Sequence, residues 1–475
     1  MAPGMRVLVV GLGVTGDAVV RHCRARGDDV VVWEDTWING AQSSGAGVGG
    51  EGSGAVMARF DAAIAAGARL VASEAPASHA FLAALGEAVD LVVPSPGVPE
   101  RHPVLVAARE HGVRIRSEID LAAEVLAAQA VPATLVAVTG TNGKTTVATL
   151  TAEILGAAGV RVAAAGNIGR PLLDAVGDAL DVVVAEVSSF QLEYTEVFRP
   201  RAAALLNLGA DHLDWHRTYE AYGRAKAKMF AHQADDDVLV FNADDPAVAA
   251  LAAQAPARRV PFSTSPNAAS GYRVVDAAVG PLLVGPDDEE LIALGALPRH
   301  TPVDVANALA AAALALDVGA GRAAVAETLG AFGGLPHRMQ EIACSGGVRY
   351  IDDSKATNPH ATLAAARDLE GIVLIAGGRN KGLDLRELRA LAPQLRAVIA
   401  IGEAADEVCE AFSGVVGVSR STSMHDAVRR AAEIARSGDT VLLSPACASL
   451  DWYSSYSARG DDFAREVLDV MEVQG

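Results

Sequence analysis

Short, continuous apolar runs alternate along the chain with longer stretches of mixed polarity, and many of the runs end at glycine or proline. The runs Arg6–Val10, Asp29–Trp33, Asp90–Val93, Thr134–Val138, Asp181–Val187, Ala202–Asn207 and Val238–Asn242 read as strands. So do Val348–Ile351, Gly371–Ala376, Ala397–Ile401 and Thr440–Leu443. Between them, Asp17–Arg26, Glu118–Gln129, the stretch from Gly143 to about Ala158, Val303–Leu316 and Asp426–Arg436 read as helices. An unbroken apolar strand is buried on both faces, and regular alternation with helices supplies the cover. The pattern predicts an α/β chain with largely parallel sheets.

Punctuation divides the chain into three α/β parts. Pro132 closes the first, and Gly333-Gly334-Leu335-Pro336 separates the second from the third. The expected domains are 1–130, 131–334 and 335–475. A Gly/Ser-rich insertion at 38–56, containing NGAQSSGAGVGGEGSG, reads as a flexible surface loop because it offers almost nothing to bury. No repeat of fixed period is present.

Composition narrows the function. With 39 Lys+Arg against 58 Asp+Glu the net charge is −19, which leaves no basic surplus for nucleic acid or an anionic membrane. Aromatics are 4%, so the cores must be built from Ala, Val, Leu and Ile. Cys23, Cys344, Cys409 and Cys447 show no CxxC spacing and suit reduced thiols. The apolar stretch Ala308–Leu316 is far shorter than the roughly 20 residues of a membrane span. The first residues lack a signal-peptide layout. A soluble, cytoplasmic protein is expected.

The most specific chemical signal is Gly140-Thr141-Asn142-Gly143-Lys144-Thr145-Thr146, between a strand and a helix. Glycines let the backbone wrap a phosphate, and the helix start attracts the anion. Lys144 would reach the terminal phosphates and Thr145 would reach Mg²⁺. The loop is a shortened P-loop, since Val138 stands where the longer pattern has glycine. A second signal, Gly11-Leu12-Gly13-Val14-Thr15-Gly16, follows the first strand, with Glu34 and Asp35 ending the next. That turn suits a nicotinamide or flavin dinucleotide, another nucleotide diphosphate, or close packing alone. Glu186 ends a strand, and Asn207, Asp211, His212 and Asp214 follow another. Polar groups at the carboxyl ends of strands, beside a P-loop, fit a Mg²⁺–nucleotide site. In Tyr222-Gly223-Arg224-Ala225-Lys226-Ala227-Lys228 the lysines read as a solvated helical face, and spacing does not single out Lys226. Cys447 reads as a buried structural thiol, because no base is placed beside it.

Taken in order, GLGVTG at Gly11, SPGV at Ser95, GTNGKTT at Gly140, GNIGRP at Gly166, EVSSFQLE at Glu186 and ADHLDWH at Ala210 resemble the Mur ligase family. GLPHR at Gly334, DDSKATN at Asp352 and SPACASLD at Ser444 continue the match. These are ATP-dependent amide-forming enzymes of cell-wall precursor synthesis, and GLGVTG, SPGV, DDSKATN and SPACASLD point to the branch that adds D-glutamate. The resemblance implies a Rossmann-like first domain, a P-loop ATPase-like central domain and a Rossmann-like third domain. It implies UDP-N-acetylmuramoyl-L-alanine, D-glutamate and ATP as substrates, with two Mg²⁺, and a monomer. It places Val14, Thr15, Asp35, Thr36 and Ser95 on the uridine nucleotide, and Asn167 and Ser188 on the muramoyl side. ATP would meet the residues Gly140 to Thr146 together with Asn307, Arg338 and Asp353. Thr145, Glu186 and His212 look like metal ligands, and Lys226 falls where the family carries a carbamoylated lysine serving a second Mg²⁺. Lys144, His212 and Lys226 would carry the catalysis. Lys355, Thr357, Lys381, Ser449 and Tyr456 fall where the family holds D-glutamate.

Some positions depart from the family pattern. Tyr456 replaces a familiar phenylalanine, Arg379 and Asn380 vary before Lys381, and the stretch from Arg299 to Asn307 is long, which leaves His300 without an assigned role. Three rival readings remain: a nucleotide-dependent oxidoreductase, a P-loop switch, and a ligase of this family using another amino acid.

Overall fold

The computed structural model describes residues 4–34, 53–72, 85–265, 267–278, 280–367, 369–380 and 382–474. Asp35, Thr36, Lys381, the Asp214 side chain and most of the 38–56 insertion lie outside the described residues. By internal packing the chain forms two compact units. The first comprises Met1–Leu208 and Trp215–Phe332, the second Gly209–Asp214 and Gly333–Gly475.

The first unit contains two sheets. One has five parallel strands, in the order Arg69–Ala72, Asp29–Glu34, Arg6–Val10, Leu91–Pro94, Arg114–Ile115. Leu8, Val9, Val30, Val32 and Val92 are fully buried in it, as an unbroken apolar run requires.

The other sheet has nine strands. Seven run parallel, in the order Val162–Gly166, Val182–Glu186, Thr134–Thr139, Ala202–Leu205, Val238–Asn242, Arg258–Ser263, Tyr272–Ala277. Gly280–Val284 and Glu290–Ala293 extend that edge antiparallel. The register pairs Val138 with Glu186 and Thr139 with Leu205, so three neighbouring strands release their carboxyl ends together. The helix Pro302–Asp317 is Ala-rich and buried almost all round, and it shares a core with the helix Lys144–Ala157. Small side chains there do the filling that aromatics do in other cores.

The second unit holds a six-stranded sheet, in the order Gln340–Ser345, Val348–Asp352, Thr440–Leu443, Ile372–Gly377, Leu395–Ile401, Val418–Arg420. Its first strand is antiparallel and the others are parallel.

Two expectations need correction. The first helix begins at Val14 rather than Asp17, so Val14 and Thr15 lie in its opening turn. The helix Ser53–Ala65 takes in the last residues of the expected 38–56 loop. The strands Tyr272–Ala277, Gly280–Val284 and Glu290–Ala293 carry no strand expectation, because half-exposed strands toward the edge of a sheet lack the continuous apolar run that marks a buried one. The four cysteines form no disulfide among the described residues, and Cys447 is buried as expected. No helix among the described residues is long and apolar enough to cross a membrane.

Candidate active site

The glycine loop after Thr139 turns sharply at Gly140 and enters the helix Lys144–Ala157 through Gly143, whose φ of 82° is left-handed. A side chain at Gly143 would meet strain. Its Cβ would also stand 2.6 Å from Asn307 Oδ1, which places Asn307 against the loop. Lys144 Nζ folds back to donate to the carbonyls of Thr141 (2.8 Å) and Gly140 (3.1 Å). Thr145 and Thr146 lie in the first helical turn.

Lys226 corrects the reading of its helix as a solvated face. It is buried, and its Nζ donates to Gly140 O at 2.8 Å while lying 4.4 Å from the centre of the Tyr222 ring. Tyr222 and Lys226 are four apart and share a face of the helix Tyr219–Ala227. Two lysines therefore converge on one loop carbonyl. Tyr222 OH also lies 3.2 Å from Thr141 Oγ1.

On the adjoining strand, Glu186 is 2% exposed. Its Oε1 accepts from Asn167 Nδ2 at 2.8 Å, and its backbone carbonyl accepts from Asn167 N at the same distance. Glu186 Oε2 is buried without a hydrogen-bond partner. Burying such an oxygen unpaired costs about 1–3 kcal/mol, which a bound cation would offset. Among the described residues, no three His, Cys, Asp or Glu side chains gather as a metal site. Ser188 begins the next helix with a capping box: its Oγ accepts from Gln191 N, and its own N–H donates to Gln191 Oε1. The S-x-x-Q spacing was legible in the sequence.

The first glycine turn is held differently. Ser95 Oγ donates to Gly11 O at 2.7 Å, and a Cβ on Gly16 would stand 2.0 Å from that same carbonyl. Leu12 N donates to Glu34 Oε2 at 2.7 Å. Gly13 caps the helix without a side-chain hydrogen bond, so the turn and the helix start bearing Val14 and Thr15 form one cradle with Ser95.

In the second unit, His212 sits at φ 52° and Asp211 accepts from Asn358 Nδ2 at 2.9 Å. Arg338 is flanked by two left-handed residues, His337 (φ 60°) and Met339 (φ 49°). His337 Nδ1 is 2.7 Å from Asp352 Oδ2, and Met339 N donates to Asp353 Oδ1 at 3.3 Å. Asp353 is buried and accepts from Ser444 Oγ at 2.9 Å; burial pushes its carboxyl up to about 7. Lys355 Nζ lies 4.3 Å from the centre of the Tyr456 ring, which brings two expected D-glutamate residues together. Thr357 lies on the same loop as Lys355, and Ser449 is buried beside Ala448, which pairs with Arg379. Tyr222 and Asn358 meet the candidate residues Thr141 and Asp211, and no sequence signal singles either out. Each contact is made only after folding.

Comparison with known proteins shows the family of the chain. The Mur ligase middle domain matches residues 138–315, and the Mur ligase glutamate ligase domain matches 337–447. A UDP-N-acetylmuramoylalanine–D-glutamate ligase from Frankia casuarinae is 41% identical, covering 98% of this chain and 94% of the relative. One from Myxococcus xanthus is 38% identical, covering 98% of each. Among solved structures, the UDP-N-acetylmuramate–alanine ligase of Thermotoga maritima superposes with a TM-score of 0.55 at 18% identity, covering 99% of this chain and all of that one. That likeness supports the shared α/β architecture. Identity near 40% along almost the whole length goes further: the chain belongs to the Mur ligase family, among the UDP-N-acetylmuramoylalanine–D-glutamate ligases.

Proposed function

We propose that this protein is an ATP-dependent ligase that adds D-glutamate to UDP-N-acetylmuramoyl-L-alanine in peptidoglycan precursor synthesis. The observation that carries this reading is the P-loop seated beside Glu186 at the carboxyl end of the central sheet, in a chain whose near-full-length relatives bear that activity in their names. A terminal carboxylate oxygen of the muramoyl-L-alanine attacks the γ-phosphorus, ADP leaves, and an acyl phosphate forms. The amine of D-glutamate then attacks the acyl carbon, loses a proton, and phosphate departs. Phosphoryl transfer is mainly positioning and charge neutralisation, which Lys144 and the helix start supply.

Each candidate residue has a part in this proposal. Val14, Thr15, Asp35, Thr36 and Ser95 hold the uridine nucleotide. Asn167 orients the muramoyl substrate, and Ser188 fixes the helix start next to it. Asn307, Arg338 and Asp353 hold ATP with the loop Gly140–Thr146. Lys355, Thr357, Lys381, Ser449 and Tyr456 hold D-glutamate. Bound Mg²⁺ would neutralise charge on the phosphoryl oxygens. The unpaired Glu186 Oε2 fits such an ion, with Thr145 and His212 as further ligands. Two ions are proposed, the second served by a carbamoylated Lys226. The carbamate would have to turn from Gly140 O, which now accepts from the ammonium. The domains 1–130, 131–334 and 335–475, a monomeric state and a cytoplasmic location complete the proposal.

The test is phosphate release from ATP with UDP-N-acetylmuramoyl-L-alanine and a panel of amino acids. D-glutamate should support turnover, and L-glutamate, L-lysine and D-alanine should not. Turnover with one of those instead would assign the chain another amino acid.

A further inference from the structure

We infer that Asn207 is the positioning residue that sets the shape of the nucleotide-binding loop, a role that rests on the reading of that loop as the ATP site. Asn207 follows the strand Ala202–Leu205, the parallel neighbour of Thr134–Thr139. Its side-chain amide pairs both ways with the backbone of Asn142. Asn142 N donates to Asn207 Oδ1 at 2.8 Å, and Asn207 Nδ2 donates to Asn142 O at 3.1 Å. Its backbone carbonyl accepts from Thr141 N at 3.0 Å. The loop is pressed close at the same place, since a Cβ on Gly140 would stand 3.0 Å from Leu206 Cβ and 3.3 Å from Asn207 N.

The chemistry of this clamp is particular. A glycine-rich loop has many backbone conformations to lose, and a phosphate-binding loop works only in the few that aim its amides at the ligand. The Asn207 amide behaves like one more strand residue, taking the N–H and C=O of Asn142 at once and fixing its peptide orientation before nucleotide arrives. Such preorganisation lowers the ordering cost of binding. The side chain must carry a donor and an acceptor at the same reach. Aspartate has the shape of asparagine without the donor, and would set a carboxylate oxygen against Asn142 O.

The two substitutions therefore separate a clamp from a space-filler. Calorimetric titration with Mg-AMPPNP should show binding weakened roughly ten- to a hundred-fold in Asn207→Ala. Binding should weaken further in Asn207→Asp. In phosphate-release assays the apparent KM for ATP should rise in the same order, with the KM for D-glutamate within twofold of wild type. A residue that only fills space would give the reverse order, the near-isosteric Asp binding better than Ala, and that result overturns the inference. Equal binding in wild type and Asn207→Ala overturns it as well. Wild-type protein that binds no nucleotide overturns the ATP reading and this inference together.

Discussion

The first unit contains two glycine-rich turns of the same design, each running from a buried strand into an uncapped helix start. Their surroundings have opposite charge. At Gly11–Gly16, the turn is braced by a serine hydroxyl and by the carboxylate of Glu34 on Leu12 N. At Gly140–Thr146, Lys144 and Lys226 both donate to Gly140 O, and in the proposed active state Lys144 remains the cation while a carbamoylated Lys226 would serve a Mg²⁺. A diphosphate that is only held can be met by backbone and a helix dipole. A triphosphate about to be split gathers charge on the leaving and transferring oxygens, and needs cations as well. On the proposed reading, the backbone shape suits a phosphate, and the side chains around it separate holding from chemistry. GxGxxG alone does not imply a nicotinamide.

Substitutions at these two turns should fall on different ligands. Lys144→Ala should lower kcat for phosphate release by about 10²–10³-fold, with UDP affinity by calorimetry within twofold of wild type; a matching loss of UDP binding would mean that the turns are not separate sites. Gly16→Ala should destabilise the protein by about 1–3 kcal/mol in urea unfolding, because its Cβ meets a backbone carbonyl at 2.0 Å that no side-chain rotation can clear. UDP binding should suffer there before ATP binding does. Gly143→Ala should be milder for the fold, since the atom it meets is the end of the Asn307 side chain. The left-handed backbone costs roughly 1–2 kcal/mol, and the apparent KM for ATP should rise about tenfold. Glu34→Gln should have the smallest effect. The amide oxygen still accepts from Leu12 N while the negative charge is gone, so UDP should bind about two- to fivefold tighter. Weaker binding would show that the carboxylate serves the ligand itself.

Much of this arrangement was readable from the chain because it is local. The strands Arg6–Val10, Val238–Asn242 and Thr440–Leu443 end where their apolar runs end. The loop GTNGKTT carries its own strand–turn–helix context. What was hidden depends on sheet order. Asn207 meets Asn142 because the strand Ala202–Leu205 lies directly beside Thr134–Thr139, a pairing of segments more than sixty residues apart that no local pattern encodes. Lys226 was misread for a related reason. Helical periodicity gave it the same face as Tyr222, and only the packing of that helix on the loop shows the face to be buried. In the second unit, Lys355 and Tyr456 are a hundred residues apart in sequence and one ring contact apart in space. The motif resemblance grouped them when spacing did not.

Oxygen-18 placed in the terminal carboxylate of UDP-N-acetylmuramoyl-L-alanine tests most directly whether the substrate carboxylate is phosphorylated by ATP before the amine attacks. The carboxylate oxygen that attacks the γ-phosphorus leaves with it when D-glutamate displaces phosphate. Mass spectrometry of the released phosphate should then find one heavy oxygen per molecule, formed only when ATP and D-glutamate are both present. Product formed alongside unlabelled phosphate would contradict the acyl-phosphate route.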